Sequence, residues 1–181
     1  MNDLLIKRLL DGKHEASKVM AAVIDYELNG NSNSKKERAP LFALKACDIR
    51  ERSFESNGTT ILFKPGMEGA MTIDDLDMWL FLNALIMLSD KPNIDRTVQF
   101  PAVSDFTENG KRSNRNKSGV TLALTRILET TIIVKMKAGT EFSLCLIDSW
   151  RTTDFPDGKT NFEVTFPGWL PWFDDLICVA Q

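Results

Sequence analysis

The sequence has almost none of the side chains on which metal and nucleophile chemistry usually depends. One histidine, His14, and three cysteines, Cys47, Cys145 and Cys178, are spread through 181 residues. No two cysteines form a CxxC pair, and a single histidine completes no familiar zinc set. The cysteines read as buried free thiols in a reducing compartment. The sequence carries no GxGxxG, no P-loop, no HExxH and no GxSxG. The expectation is therefore a protein that is not an enzyme and holds no metal or cofactor. Asp74, Asp75 and Asp77 stand close together, but acids in the first turn of a helix suit its cap and dipole better than a metal ion. No apolar run reaches the ~18 residues that a membrane span needs. The N-terminus, MNDLLIKRLLDGK, puts acid first and interrupts a short apolar stretch with bases, unlike a secretory signal. A cytoplasmic protein with no membrane partner is expected.

What is present fits a globular chain. Apolar residues make up 43% and charged residues 26%, enough for one good core with extensions. The net charge of −3 argues against a wholesale nucleic-acid coat and makes the distribution of charge the deciding matter.

Residues 3–28 have helical spacing: Ala16, Val19, Met20, Val23 and Ile24 recur at i, i+3, i+4, i+7 and i+8. A long helix there packs on its own core or on a partner. Asn31 to Glu37, NSNSKKE, is a linker by composition. Leu41 to Ala46 reads as a short strand, 48–56 as a surface loop or the start of a hairpin, and Thr59 to Phe63 as a strand after the Asn57-Gly58 turn. Thr72 caps a helix over 73–88 that is apolar nearly all round, as a helix buried on several sides is. Thr97 to Phe100 is a short strand stopped by Pro101, and Ala102 to Glu108 a short helix ended by Asn109-Gly110.

The stretch Asn114 to Lys137, NRNKSGVTLALTRILETTIIVK, organises the rest. A basic lead-in runs into the stripe Val120, Ala123, Leu124, Ile127 and Leu128, then switches to β-branched residues. Strands over 131–136 and 141–147 follow, joined by a wing-like turn at Lys137-Ala138-Gly139-Thr140. Asn161 to Phe166 alternates as a further strand. Trp169, Trp172, Phe173, Leu176 and Ile177 have helical spacing behind Pro171. The order helix, strand, short helix, helix, strand, turn, strand is that of a winged helix, an α+β fold in which a helix-turn-helix carries an antiparallel β-sheet and wing. The strands at 41–46, 59–63 and 161–166 would enlarge its sheet. The implied division is an N-terminal helical extension and linker at 1–37, the winged helix at 38–167 and a C-terminal helical tail at 168–181.

Several segments carry a family resemblance. They are Arg38-Ala39-Pro40-Leu41-Phe42, Gly58 to Phe63, the acidic Trp-bearing helix start Thr72 to Trp79, Val98-Gln99-Phe100, the helix-to-strand junction Leu122 to Thr131 (LALTRILETT), and Phe142 to Trp150. In this order and spacing the chain resembles the replication initiator (Rep) proteins of iteron-type plasmids, in their first winged-helix domain. The resemblance implies a role in plasmid replication initiation, with double-stranded DNA of the plasmid origin repeats, a second copy of the chain and host replication proteins as partners. It implies that this domain dimerises and touches DNA mainly through the backbone, the repeat sequence being read by a second winged helix for which 181 residues leave no room. A winged-helix transcriptional regulator and a protein-interaction module are the other readings of the same fold. Candidate DNA-binding residues are Lys111, Arg112, Arg115, Asn116 and Lys117 before and at the start of the second long helix, Thr121 and Arg126 along it, and Lys135 and Lys137 at the wing. Candidate dimer-interface residues are Leu82, Leu85, Val98, Phe100 and Leu122.

Overall fold

The computed structural model describes residues 2–29, 41–45, 47–88, 95–102, 107–108, 111–112 and 117–174. Two helices open it, α1 (Asn2–Leu10) and α2 (Glu15–Asn29), where periodicity predicts one. The break falls at Gly12. A Cβ there would run into the hydroxyl of fully buried Ser17, which itself donates to the His14 carbonyl at 2.7 Å. Glycine permits that approach, so the helix ends and restarts, and α1 packs on α2. Leu5, Leu9, Met20, Val23 and Ile24 belong to the same hydrophobic core as the strands and helices that follow. Of the two placements open to this segment, the chain's own core is the one taken.

Glu27 of α2 helps to hold it there, its carboxylate accepting the Leu41 N–H at 3.2 Å. Burial pushes the Glu27 carboxyl above its ordinary value, and the amides of Leu41 and Phe42 and the charge of Arg52 offset this only in part. A raised folded-state pKa means that the fold holds this proton more tightly than the unfolded chain. The contribution is complete below the unfolded value and is lost as pH rises through the folded one. Glu27→Gln is therefore expected to flatten part of the fall in stability as pH rises from about 4 towards neutrality. Urea midpoints of both proteins across that range check this, and parallel curves would refute it.

β1 (Arg52–Ser56) and β2 (Thr59–Lys64) form the hairpin that Asn57-Gly58 announces. The strand expected at 41–46 is reduced to an isolated bridge between Ala43 and Thr72. Leu41, Phe42 and Ala43 are nonetheless all buried, and the Ala43 N–H donates to the Met71 carbonyl at 2.7 Å. Next come α3 (Ile73–Met87) and β3 (Thr97–Pro101). The short helix expected at 102–108 is not what stands at its end, for β4 (Thr107–Glu108) pairs with β5 (Lys111–Arg112). The sequence places Asn-Gly between them, the dipeptide that two-residue hairpins favour. Then follow α4 (Lys117–Glu129), β6 (Thr131–Lys135), β7 (Glu141–Leu144), β8 (Ser149–Asp154), β9 (Thr160–Thr165) and a short 3-10 helix at Pro171–Phe173. The 31–37 linker, Arg38 to Pro40, and Leu176 and Ile177 lie outside the described residues.

The strands make two main antiparallel sheets, ordered β1-β2-β6-β7 and β3-β9-β8. This corrects the single enlarged sheet read from the sequence. The register supplies the reason: Val98 lies opposite Val164 and Phe100 opposite Phe162, and the last two rings stack at 5.5 Å. β3 therefore matches its apolar alternation to β9, not to the wing strands. β8, which pattern reading missed, completes that sheet on the other side of β9.

Candidate nucleic-acid interface

α4 is fixed before any ligand is considered. Val120, Ala123, Leu124 and Ile127 are fully or almost fully buried, at helical spacing. A buried ion pair sets how the helix meets α3. The Arg126 guanidinium donates to both oxygens of Asp75, Nε to Oδ2 at 2.7 Å and a second nitrogen to Oδ1 at 2.8 Å. Asp75 also accepts the Thr72 N–H at 2.8 Å, closing the capping box at the start of α3. The carboxylate beside it raises the Arg126 pKa further, so the guanidinium stays charged.

This withdraws Arg126 from the candidate DNA face. Its side chain is 9% exposed and that of Asp75 is 1% exposed. The apolar stripe of α4 fixed the inward face at helical i, i+3, i+4 and i+7 spacing, and Arg126 falls just beside it. The missed signal was the partner, an acid in the first turn of α3, which packs against α4.

Three candidate lysines do face solvent. Lys117, first residue of α4, is exposed, and its ammonium contacts both Asp154 oxygens at 2.7 and 2.8 Å. Lys135 ends β6 and pairs more loosely with Glu141, at 3.5 Å. Lys137 is exposed in the β6–β7 turn, where Gly139 takes φ 88°, and its stem lies against Gly58 of the β1–β2 turn. The described residues thus form two basic points: Lys117 held by the β8–β9 hairpin, and Lys135 with Lys137 beside the β1–β2 turn. Thr121 is half-buried, and its carbonyl accepts the Thr125 hydroxyl. Lys111 and Arg112 stand on β5, in register with Glu108 and Thr107. Arg115 and Asn116 lie outside the described residues.

The candidate dimer residues divide as well. Leu82 and Phe100 are buried in this chain's own core, and so cannot present themselves to a second copy. Leu85 and Val98 are half-buried against that core. Leu122 is exposed on α4 at 38%. The outward side of α3 instead carries Phe81 at 38% and, at its C-cap, Leu88 at 72%. An all-round apolar helix hides its phase, but Asp74 and Asp77 marked that side, with Phe81 one turn further on.

Three comparisons bear on what this arrangement is for. A model of the family "RPA: Replication initiator protein A" matches residues 32–172, which is most of the chain. The chain belongs to this replication initiator family. A curated protein of Wigglesworthia glossinidia brevipalpis, described as "Putative replication protein", is 32% identical over 146 residues, covering 72% of this chain and 52% of that protein. The chain therefore spans about half the length of that curated relative. Among solved structures, domains 2 and 3 of RctB match at a TM-score of 0.51 and 13% identity, over 86% of this chain and 62% of that one. This last likeness speaks for the α+β fold alone. The residues that carried the Rep resemblance now have physical roles. Thr72 and Asp75 cap α3 and Trp79 is buried in it, Arg126 binds Asp75, and the Thr130 hydroxyl donates to the Arg126 carbonyl at 2.7 Å. In this chain they build the junction of α3 and α4.

Proposed function

We propose that this chain is the part of a plasmid replication initiator that binds origin repeat (iteron) DNA through the phosphate backbone and associates with a second copy of itself. α4 with the β6–β7 hairpin serves as helix and wing of a winged-helix variant, and the rest of the initiator and host replication proteins complete the assembly. The family match over 32–172 carries this reading, and the solvent-facing ammonium groups of Lys117, Lys135 and Lys137 support it. Backbone contact of this kind is independent of sequence and strongly dependent on salt. Anisotropy titrations of a labelled duplex are expected to show binding that weakens steeply between about 50 and 200 mM salt. Lys117→Gln should weaken it evenly across sequences and reduce the salt slope by about 1. Absence of binding at the lowest salt would reject the reading in favour of a protein-interaction module, for which the largely exposed Leu44, Ile49 and Met67 offer apolar contact. Self-association through the outward sides of α3 and α4 is checked on the same samples by sedimentation velocity, where a monomer at every concentration would remove that part.

A further inference from the structure

Lys117 is not an unoccupied cation. Its ammonium lies 2.8 Å from Oδ1 and 2.7 Å from Oδ2 of Asp154, the last residue of β8. The first residue of β9, Thr160, donates its hydroxyl to the same Oδ1 at 2.6 Å. The turn between the strands is closed by the Phe155 N–H on the Lys159 carbonyl at 2.8 Å. The hairpin therefore aims one carboxylate at one ammonium, across 37 residues of sequence. Donation from Lys117 and Thr160 holds the Asp154 carboxyl below the usual carboxylate range, so it is ionised at neutral pH.

To an ammonium, a carboxylate oxygen and a phosphate oxygen are acceptors of the same kind. The two cannot both take the full set of Lys117 donors. Exposure decides whether exchange is open. The Arg126–Asp75 pair is sealed at 9% and 1%, whereas the Lys117 and Asp154 side chains are 48% and 62% exposed. A phosphate arriving from solvent can reach the second pair and not the first.

We propose that Asp154 is an intramolecular competitor for Lys117: it occupies the ammonium in the free protein and yields it to a DNA phosphate on binding. This rests on the DNA-binding reading above and adds a restraint to it. The net charge of −3 gains a local meaning, since an acid from a distant hairpin tempers the base that opens α4. Weak contact with phosphate wherever it occurs is suppressed, and only a duplex that also engages other bases displaces the carboxylate.

The test is a double-mutant cycle on the full chain, read by anisotropy with a labelled duplex of arbitrary sequence. Asp154 lies largely in solvent, and Asp154→Asn keeps an oxygen for the Thr160 hydroxyl, so the hairpin is retained. D154N is expected to tighten binding about two- to five-fold at low salt, the range an exposed ion pair supports. The gain should shrink as salt rises. In a K117Q background it should disappear. If wild type binds and D154N binds no better, the competition is refuted while the DNA reading stands. An equal gain with and without Lys117 would show a general charge effect and likewise refute it. If neither wild type nor D154N binds at low salt, the DNA reading falls and takes this inference with it.

Discussion

Arg126→Ala is expected to lower the unfolding free energy by about 3–5 kcal/mol, the usual cost of removing one partner from a buried ion pair. The size follows from what is left behind. Asp75 is 1% exposed, so its carboxylate would lose two charge-assisted hydrogen bonds without gaining water. The Thr72 N–H would be its remaining donor at 2.8 Å. For a chain of this length the loss corresponds to a fall in midpoint temperature of roughly 6–20 °C. Arg126→Lys should lie between, because an ammonium keeps the charge but cannot bridge both oxygens from one plane. Replacing both residues by apolar ones of similar volume removes the stranded charge, and should cost mainly the α3 cap, about 1 kcal/mol. Urea unfolding of the set measures the differences. A loss below about 1 kcal/mol in Arg126→Ala would mean that the guanidinium is solvated after all, and it would return to the candidate DNA face. With the pair intact, no change in the salt slope of DNA binding is expected from Arg126 itself.

Regular structure was legible wherever a local rule decided it. The Thr72 cap, the stripe from Val120 to Ile127, the hairpin on Asn57-Gly58 and the turn before Gly139 all stand where pattern reading puts them. The failures come from long-range packing. The helix break at Gly12 depends on a close approach to Ser17 that periodicity cannot see. β8 reads SWRTTD, with too little apolar alternation to declare itself, and becomes a strand because β9 offers it a matching edge. Pairing of β3 with β9 joins residues sixty or more positions apart, and chain order alone favoured the nearer wing strands.

The site was legible as a set of exposed cations and illegible as a set of partners. Lys117, Lys135 and Lys137 could be named from the basic lead-in and the turn. That Asp154 and Glu141 would stand against two of them could not, since surface charges pair through tertiary position. The same limit misplaced Arg126. Its motif position marked it as important, and only the structure shows the importance to be a buried bond between helices.

Trp79→Ala should be the other severe substitution, destabilising by about 3–5 kcal/mol through its cavity alone. Trp79 is fully buried, and its indole N–H donates to the Leu146 carbonyl at 3.0 Å. Leu146 lies in the link from β7 to β8, where the chain leaves one main sheet for the other. The neighbouring Cys145 carbonyl accepts the Trp169 N–H at 3.1 Å. Asn83, one turn along α3, donates to the Trp79 carbonyl at 2.8 Å and accepts the Trp172 N–H at 3.2 Å. Three indoles thus clamp α3, the link between the sheets and the segment from Trp169 to Trp172. Trp79→Phe separates the two contributions. It keeps most of the apolar volume but strands the buried Leu146 carbonyl, and is expected to cost about 1–3 kcal/mol. If Trp79→Phe were neutral while Trp79→Ala remained severe, the clamp would be a matter of volume, and the link between the sheets would be held by Trp169 instead. Near-UV circular dichroism of Trp79→Phe makes the same distinction, since loosening the link should also disturb Trp169 and Trp172.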